Sequence, residues 1–391
     1  MRVYDTLARA TVPLPLSKDE RGRPELKLYV CGVTPYESGH MGHAFTFCAF
    51  DILVRAVEAR GVTVKYVQNV TDVDDPLFER ARRDGVDWKE LAEREEASLV
   101  RDMAELGWRP PDVMPRVSEE IHGILAAAEA LAAEGFAYPA ADGSVYFDAS
   151  SYKDFGRLSG KSRRSMLAKL RAEELLGMKG PGAKRDWLDF PLWRPSGPGE
   201  PSWPSAYGSG RPGWHIECSA MSMRYLGEQV DIHGGGRDLI FSHHESERAQ
   251  SESLTGCVPF ARAWLHTGMV RYEGTKMSKS LGNLVSVRQA LERVSPAALR
   301  LYLASHHYRR DWGFTWTGLA AAGRLADRIA ALPAGPKPAA GLLRAFASAL
   351  DDDLDTPSAV KVLRVAVEEE DGGAARRMLE ILAGSASLET A

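Results

Sequence analysis

Cysteine is scarce in this chain, four among 391 residues. That scarcity excludes a disulfide framework of the kind that staples small secreted domains, and leaves thiols or metal ligands as the expected roles. Long apolar runs are missing too. No stretch could span a bilayer, and the opening residues MRVYDTLARA lack the apolar segment of a secretory signal. The chain is therefore expected to be cytoplasmic, with no membrane partner. Excess positive charge is also lacking. The formal net charge is −4, which argues against a general polyanion-binding surface and leaves room only for a local basic patch. No internal repeat is visible. What remains, 44% hydrophobic and 26% charged residues over this length, is a globular protein of two or three domains with an ample core.

The organising stretch is Leu28 to Gly61. An apolar run around Leu28 to Val30 suits a buried strand. Gly39 and Gly42 bracket a turn, and helical spacing from Phe45 to Val57 continues until Gly61 supplies a stop. His40 and His43 flank Gly42 where the helix begins. A helix N-terminus presents unpaired N–H groups and the positive end of a dipole, so it can bind phosphate. Val62 to Val67 is a β-branched strand that ends in Gln68-Asn69-Val70-Thr71-Asp72. Strand, helix, strand predicts a parallel sheet with a right-handed crossover, and ligands collect at the carboxyl ends of such strands. Cys31, Thr34 and Thr71 all fall near those ends.

Residues 76 to 135 read as two or three surface helices whose charge runs are solvated faces. Val145 to Phe147 is a short strand. Residues 151 to 212, rich in Gly, Pro, Ser and Arg, are expected to form an irregular, partly mobile insertion packed by Trp187, Trp193 and Trp203. A second sheet half opens at Gly213, with a helix through Met223 and Leu226, then a strand Val230 to His233 running into Gly234-Gly235-Gly236. Leu239 to Leu254 is expected to be a helix, and Ala263 to Val270 a last strand. From Pro296 onward the chain reads as helical, with a linker at 333 to 341, two final helices and a disordered tail SASLETA.

Two groups of residues carry chemistry by type. Cys31, Cys218, His243 and Glu247 offer two thiolates, an imidazole and a carboxylate, a zinc-type donor set. Only His243 and Glu247 are local, at i and i+4 on one helix face. Two buried cysteines and a helix salt bridge would give the same pattern. Cys48 and Cys257 read as buried small hydrophobes. The second group is His40 and His43 with Lys276 and Lys279, the lysines on a Gly-flanked loop that would also read as an exposed basic loop.

His40-Met41-Gly42-His43 resembles the HIGH signature of class I aminoacyl-tRNA synthetases, and Lys276-Met277-Ser278-Lys279-Ser280 matches their second signature, KMSKS, to the letter. The segments WHIEC and HHESE further resemble cysteinyl-tRNA synthetases. The resemblance runs from about Leu28 to Pro357. It implies an α/β, Rossmann-like (HUP-type) parallel-sheet catalytic domain over 1–285, with a helical insertion at about 76–212, and a C-terminal helical domain over 286–391. It implies Zn²⁺ on Cys31, Cys218, His243 and Glu247, where the substrate cysteine thiolate would bind. ATP, with Mg²⁺, is implied at Gly42, Asp231, Gly234, Gly236, Lys276 and Lys279, with His233 among them. His40, His43, Lys276 and Lys279 are the implied catalytic residues. Thr34, Thr71 and Trp214 would line the cysteine pocket, although Trp214 also reads as a core aromatic.

Two activities share this scaffold. One charges tRNA. The other, the cysteine:glucosaminyl-inositol ligase of mycothiol biosynthesis, transfers cysteine to the amine of an amino sugar. Thr34-Pro35-Tyr36 and Gly42-His43-Ala44 resemble the ligase, as do Asp75-Pro76-Leu77, Asp84 to Trp88, and Met166-Leu167 ahead of Lys184-Arg185-Asp186. The chain also ends soon after Asp351 to Pro357, where a synthetase continues into an anticodon-reading domain. Glu247, His233 and Ala249-Gln250-Ser251-Glu252 resemble the synthetase instead. The expected acceptor is the amino sugar, with tRNA the alternative. A cysteine-binding regulator without turnover is a third reading, disfavoured by the intact signatures. A monomer or weak dimer is expected.

Overall fold

A computed structural model describes all residues except Ser38, 176–182, Glu273, 278–282, 334–337 and 385–391. Lys279 and the tail SASLETA therefore lie outside the described residues, as does part of the insertion expected to be mobile. The chain opens with a hairpin of β1 (Arg2–Asp5) and β2 (Ala10–Pro13), then a two-residue β3 (Ser17–Lys18). β4 (Pro24–Val33), α1 (Met41–Glu58) and β5 (Thr63–Val70) form the expected crossover unit, with β4 and β5 parallel. Three helices follow, α2 (Asp75–Asp84), α3 (Trp88–Glu105) and α4 (Val117–Ala133). Next come β6 (Ala137–Pro139), β7 (Val145–Phe147), α5 (Arg163–Leu175), β8 (Phe190–Pro195) and β9 (Gly210–Pro212). The chain then returns through α6 (Trp214–Leu226), β10 (Val230–Gly236), α7 (Glu245–Thr255) and β11 (Ala261–Thr267). β12 (Val270–Tyr272), β13 (Thr275–Lys276), α8 (Val287–Leu291), α9 (Pro296–Ala304) and β14 (Trp312–Phe314) lead to the helices α10 (Trp316–Ala331), α11 (Ala340–Asp351), α12 (Thr356–Glu368) and α13 (Gly372–Ala383).

The central sheet runs β5-β4-β10-β11, all parallel, with β3 antiparallel beside the start of β4. Both faces of β4 are covered, which is why it reads as a continuous apolar run rather than an alternating one. Leu28 and Val30 face the core shared with α1 and the C-terminal helices, whereas Tyr29 and Cys31 face the core shared with α4 and α6. The chain leaves β4 toward β5 on one side, and β10 joins from the other. That reversal opens a crevice at the carboxyl ends of β4 and β10.

Four expectations are corrected. Residues 151–212 are not irregular throughout: β8 pairs with β7 and β9 with β8, in a four-stranded antiparallel sheet of order β6-β7-β8-β9. Strands of three to six residues broken by Pro and Gly are too short to display a period of two. The segment Leu239–Leu254 is regular α-helix only from Glu245, because Phe241 adopts an extended backbone (φ −132°, ψ 125°) that breaks the turn before it. The last strand stops at Thr267: the Gly268 amide turns to the Tyr308 carbonyl at 2.7 Å, ahead of β14, and a Cβ there would sit 2.2 Å from the Arg310 carbonyl oxygen. β12 then starts a separate sheet, β13-β12-β14. Finally, three helices rather than two follow the 333–341 linker among the described residues. No helix among those residues is long and apolar enough to cross a membrane.

Candidate functional site

A cavity of about 250 Å³ opens in that crevice. Its lining includes the buried Cys31, Thr71, Cys218 and His243, with Thr34, Trp214, His40, His43 and Asp238 more exposed toward the mouth. Two sequence-predicted groups are thus brought to one space: the donor set and its pocket residues at one end, the histidine pair at the other.

The donor set comes from three elements. β4 supplies Cys31, α6 supplies Cys218, and the start of α7 with the turn before it supplies Glu247 and His243. One donor atom from each lies within 4.8 Å of the others, and all four residues are buried. His243 Nε2 is 3.0 Å from Glu247 Oε1, and Cys31 Sγ is 3.4 Å from the same oxygen. Tetrahedral zinc with bonds of roughly 2.0–2.3 Å needs donors roughly 3.3–3.8 Å apart, so this set fits such an ion with small adjustments. The four groups also shift one another's protons. Burial raises the Cys218 thiol, but the Cys31 hydrogen bond and the charge of His243 outweigh it and bring Cys218 down to about 6. Burial and the neighbouring Cys218 push Cys31 well up. Glu247 is held well below the usual carboxylate range, because His233 and His243 outweigh the cost of its burial. Burial opposes the charge on His243, yet Glu247 and Cys218 raise it to about 10.

More histidines crowd this end than the sequence reading assigned to it. His233 was expected beside the nucleotide. Its Nε2 is instead 3.1 Å from Glu247 Oε2 and 3.6 Å from Cys31 Sγ, because Tyr29 and His233 are register partners on adjacent strands. His244 Nε2 is 3.3 Å from Cys31 Sγ, and its Nδ1 is 2.7 Å from His266 Nε2. Cys31, His233, His244 and Glu247 make a second set of four donors that shares two members with the first. His215 Nδ1 is 3.0 Å from His243 Nδ1. Burial keeps His215, His244 and His266 neutral, the last pushed down to about 3. The doubled histidine at 243–244 was the one signal in the sequence; His266 had none.

Trp214 belongs to the cavity wall. It is 38% exposed and stacks on His243 at 4.2 Å, so the core reading of this residue fails. Asn69, which the sequence reading passed over, is a buried hub. Its Oδ1 accepts from the Gly32 amide at 3.0 Å, and its Nδ2 donates to Thr71 Oγ1 at 2.9 Å.

At the mouth, His40 caps α1. Its Nδ1 accepts from the Gly42 amide at 3.0 Å, and its ring stacks on His43 at 3.9 Å. A Cβ on Gly42 would lie 2.8 Å from the His40 ring, so glycine is needed for the capping geometry. Burial and the charge of His40 hold His43 well below the ordinary histidine range, so it is neutral. Gly236 ends β10 next to Asp238, which lines the mouth. Gly234 has a packing cause: a Cβ there would lie 2.2 Å from the Phe50 ring. Lys276 pairs with Arg271 in the β12–β13 ribbon. Asp231 is a correction. It sits near the amino end of β10, away from the cavity, fully buried, and binds Ser17, the Lys27 amide and Arg262. It staples strand starts and cannot reach a nucleotide at the strand ends. Cys257 is a smaller correction: it is partly exposed, whereas Cys48 is buried as expected.

A family profile described as "tRNA synthetases class I (C) catalytic domain" matches residues 18–324. The chain is 46% identical to an L-cysteine:1D-myo-inositol 2-amino-2-deoxy-alpha-D-glucopyranoside ligase of Thermomonospora curvata, over 96% of this chain and 90% of the relative. It is 44% identical to a cysteine–tRNA ligase of Dehalococcoides mccartyi, over 84% of this chain and 69% of the relative. Among solved structures, a Mycobacterium tuberculosis methionyl-tRNA synthetase in complex with methionyl-adenylate superposes with a TM-score of 0.66 at 16% identity, covering 92% of this chain and 88% of that one. This last likeness is one of fold.

Proposed function

The chain belongs to the family of class I (C) tRNA synthetase catalytic domains, and from that premise we propose that it is an ATP-dependent, AMP-forming cysteine ligase whose acceptor is the amine of an amino sugar. The observation that carries the reading is the convergence of a two-cysteine donor set and a helix-capping histidine pair on one cavity of about 250 Å³. Cysteine would lie between them, with its side chain toward Cys31 and Cys218 and its carboxylate toward His40 and His43. The carboxylate attacks the α-phosphorus of ATP, and pyrophosphate leaves. The amine then attacks the acyl carbon of cysteinyl adenylate, and AMP leaves.

Each residue has a physical task. The first turn of α1 offers the positive end of its dipole to the phosphates, while its Met41 and Gly42 amides are already taken by the Val285 carbonyl and His40 Nδ1. His43, neutral and half-buried beside His40, donates a hydrogen bond there without adding a fixed charge. Lys276 and Lys279 on the KMSKS loop would neutralise charge that develops as the α-phosphate becomes crowded, an interaction that counts only if it strengthens in the transition state. Thr34, Thr71 and Trp214 would hold the body of the amino acid. Zinc on Cys31, Cys218, His243 and Glu247 would supply a thiolate-preferring partner, which a serine hydroxyl cannot match and which pocket shape alone could not provide.

Of the positions that resemble the amino-sugar ligases, Thr34, Tyr36 and His43 line the cavity, where an acceptor would approach the adenylate, while Pro35 between them is buried. This supports the amino sugar. Transfer to tRNA is the second reading, favoured by Glu247, the synthetase-like donor at the centre of the metal set. The deciding experiment measures AMP release from ATP and cysteine, with glucosaminyl-inositol and total tRNA offered separately. Release driven by the amino sugar is expected. Release driven only by tRNA would establish the second reading. Absence of cysteine-dependent pyrophosphate exchange would sink both.

A further inference from the structure

The two threonines on the cavity wall are not equivalent, and the difference lies in the residues behind them. A threonine hydroxyl has one proton to donate and two lone pairs. Thr34 Oγ1 gives its proton to Asp74 Oδ2 at 3.0 Å. The other Asp74 oxygen is taken by the Asp75 amide at 2.9 Å, where Asp74 caps α2. Thr71 is set the opposite way. Its oxygen accepts from Asn69 Nδ2 at 2.9 Å, and that amide cannot flip because Asn69 Oδ1 is held by the Gly32 N–H. Thr71 therefore keeps its proton to give, whereas Thr34 has none left. Asp74 itself is not on the cavity wall, although Thr34 and Thr71 both are.

We propose that Asp74 is a positioning residue for the α-ammonium of the substrate: by taking the Thr34 proton it leaves that hydroxyl able only to accept, so it marks where a cationic donor must sit. The inference rests on the proposed cysteine activation and adds the basis of zwitterion recognition to it. A thiol acid without the amino group has nothing to offer Thr34. The pocket then distinguishes cysteine from 3-mercaptopropionate through an aspartate that touches neither.

Asp74→Asn is the informative variant. Asparagine is as good an N-cap as aspartate, so α2 keeps its start. Its amide can donate to Thr34 and turn the hydroxyl proton into the cavity, against the ammonium. Losing one charge-assisted hydrogen bond is expected to raise the KM for cysteine in pyrophosphate exchange by about tenfold or more. kcat should stay within about twofold, because the contact is equal in ground and transition states. The inhibition constant for 3-mercaptopropionate should not move, whereas a merely structural loss would weaken both ligands alike. Thr34→Val, which removes the acceptor and keeps the shape, should show the same split and serves if Asp74→Asn does not fold. Equal weakening of both ligands, or an unchanged KM for cysteine in either folded variant, overturns the inference. Wild-type protein that performs no cysteine-dependent exchange would instead overturn the activity on which it rests.

Discussion

Cys218 shows how one buried atom takes its character from neighbours far away in sequence. Alone in an apolar site its thiol would stay protonated. Cys31 and His243 reverse that and make it the site's thiolate. Serine in its place keeps the shape but offers a hydroxyl, which a thiolate-preferring metal binds poorly. Cys218→Ser is expected to cut the zinc content of purified protein to well below one per chain and to abolish cysteine-dependent pyrophosphate exchange. ATP binding, followed by equilibrium dialysis, should survive, because the α1 terminus lies at the other end of the cavity. Full zinc content in that variant would refute the donor assignment. The four donors could be named from their resemblance to the family, but their grouping could not be read from spacing, because three separate elements deliver them. The place of His233 beside the donors, and any part for His266, were illegible for the same reason: only the pairing of β10 with β4 and β11 brings them to the site. Asp231 misled because it shares a strand with Gly236. Five residues along a strand span about 17 Å, enough to separate a ligand-facing end from a structural one.

At the scale of elements, the crossover unit was plain in the sequence. A β-branched strand, a capped amphipathic helix and a glycine stop agree with one another locally. The antiparallel insertion sheet was not, because its strands are too short to show a period of two, and charge pairs rather than sequence pattern tie its edge to α2. Arg211 of β9 is 4% exposed and binds both Asp75 of α2 and Glu200, the latter at 2.8 Å. Arg194 of β8 also reaches Asp75. Burial raises both carboxyls, but the arginines, with the Gly197 amide for Glu200, outweigh it, so each lies below its ordinary value. A carboxyl depressed in the folded state stabilises fully above its unfolded value and loses that contribution as pH falls through the folded one. The insertion sheet should therefore loosen below about pH 4. Asp75→Asn is expected to lower stability at pH 7 by under about 1 kcal/mol, since Asp75 is partly solvated and screened. The gap from wild type in urea denaturation should narrow as pH falls through the lowered value of Asp75, below the ordinary carboxylate range, and close once wild-type Asp75 is protonated too. A gap that persists there would assign the loss to packing.

At the scale of the molecule, α1 links the site to the C-terminal helices. Its first turn carries His40 and His43, and its third carries Asp51, which is fully buried. Asp51 is bound by Arg300 of α9, by Arg55 at 2.9 Å and by the Arg109 amide at 3.1 Å. Arg300 in turn donates to the Leu382 carbonyl of α13 at 2.9 Å, so one arginine ties three helices together. No periodicity could announce this, because a charged residue on a helix face that should be apolar reads as a solvated break. The pairing follows only once α9 and α13 pack on α1. Removing one partner of a buried pair leaves the other uncompensated, whereas removing both is far milder. Arg300→Met is expected to lower unfolding free energy by about 3 kcal/mol, at the low end of the usual range because Arg55 still faces Asp51. The double variant Asp51→Asn, Arg300→Met should recover part of that loss, as read from urea midpoints at equal slope. If the double variant is less stable than the single one, the buried charges are net stabilising in this protein, and the C-terminal helices hold α1 by that charge rather than by their apolar faces.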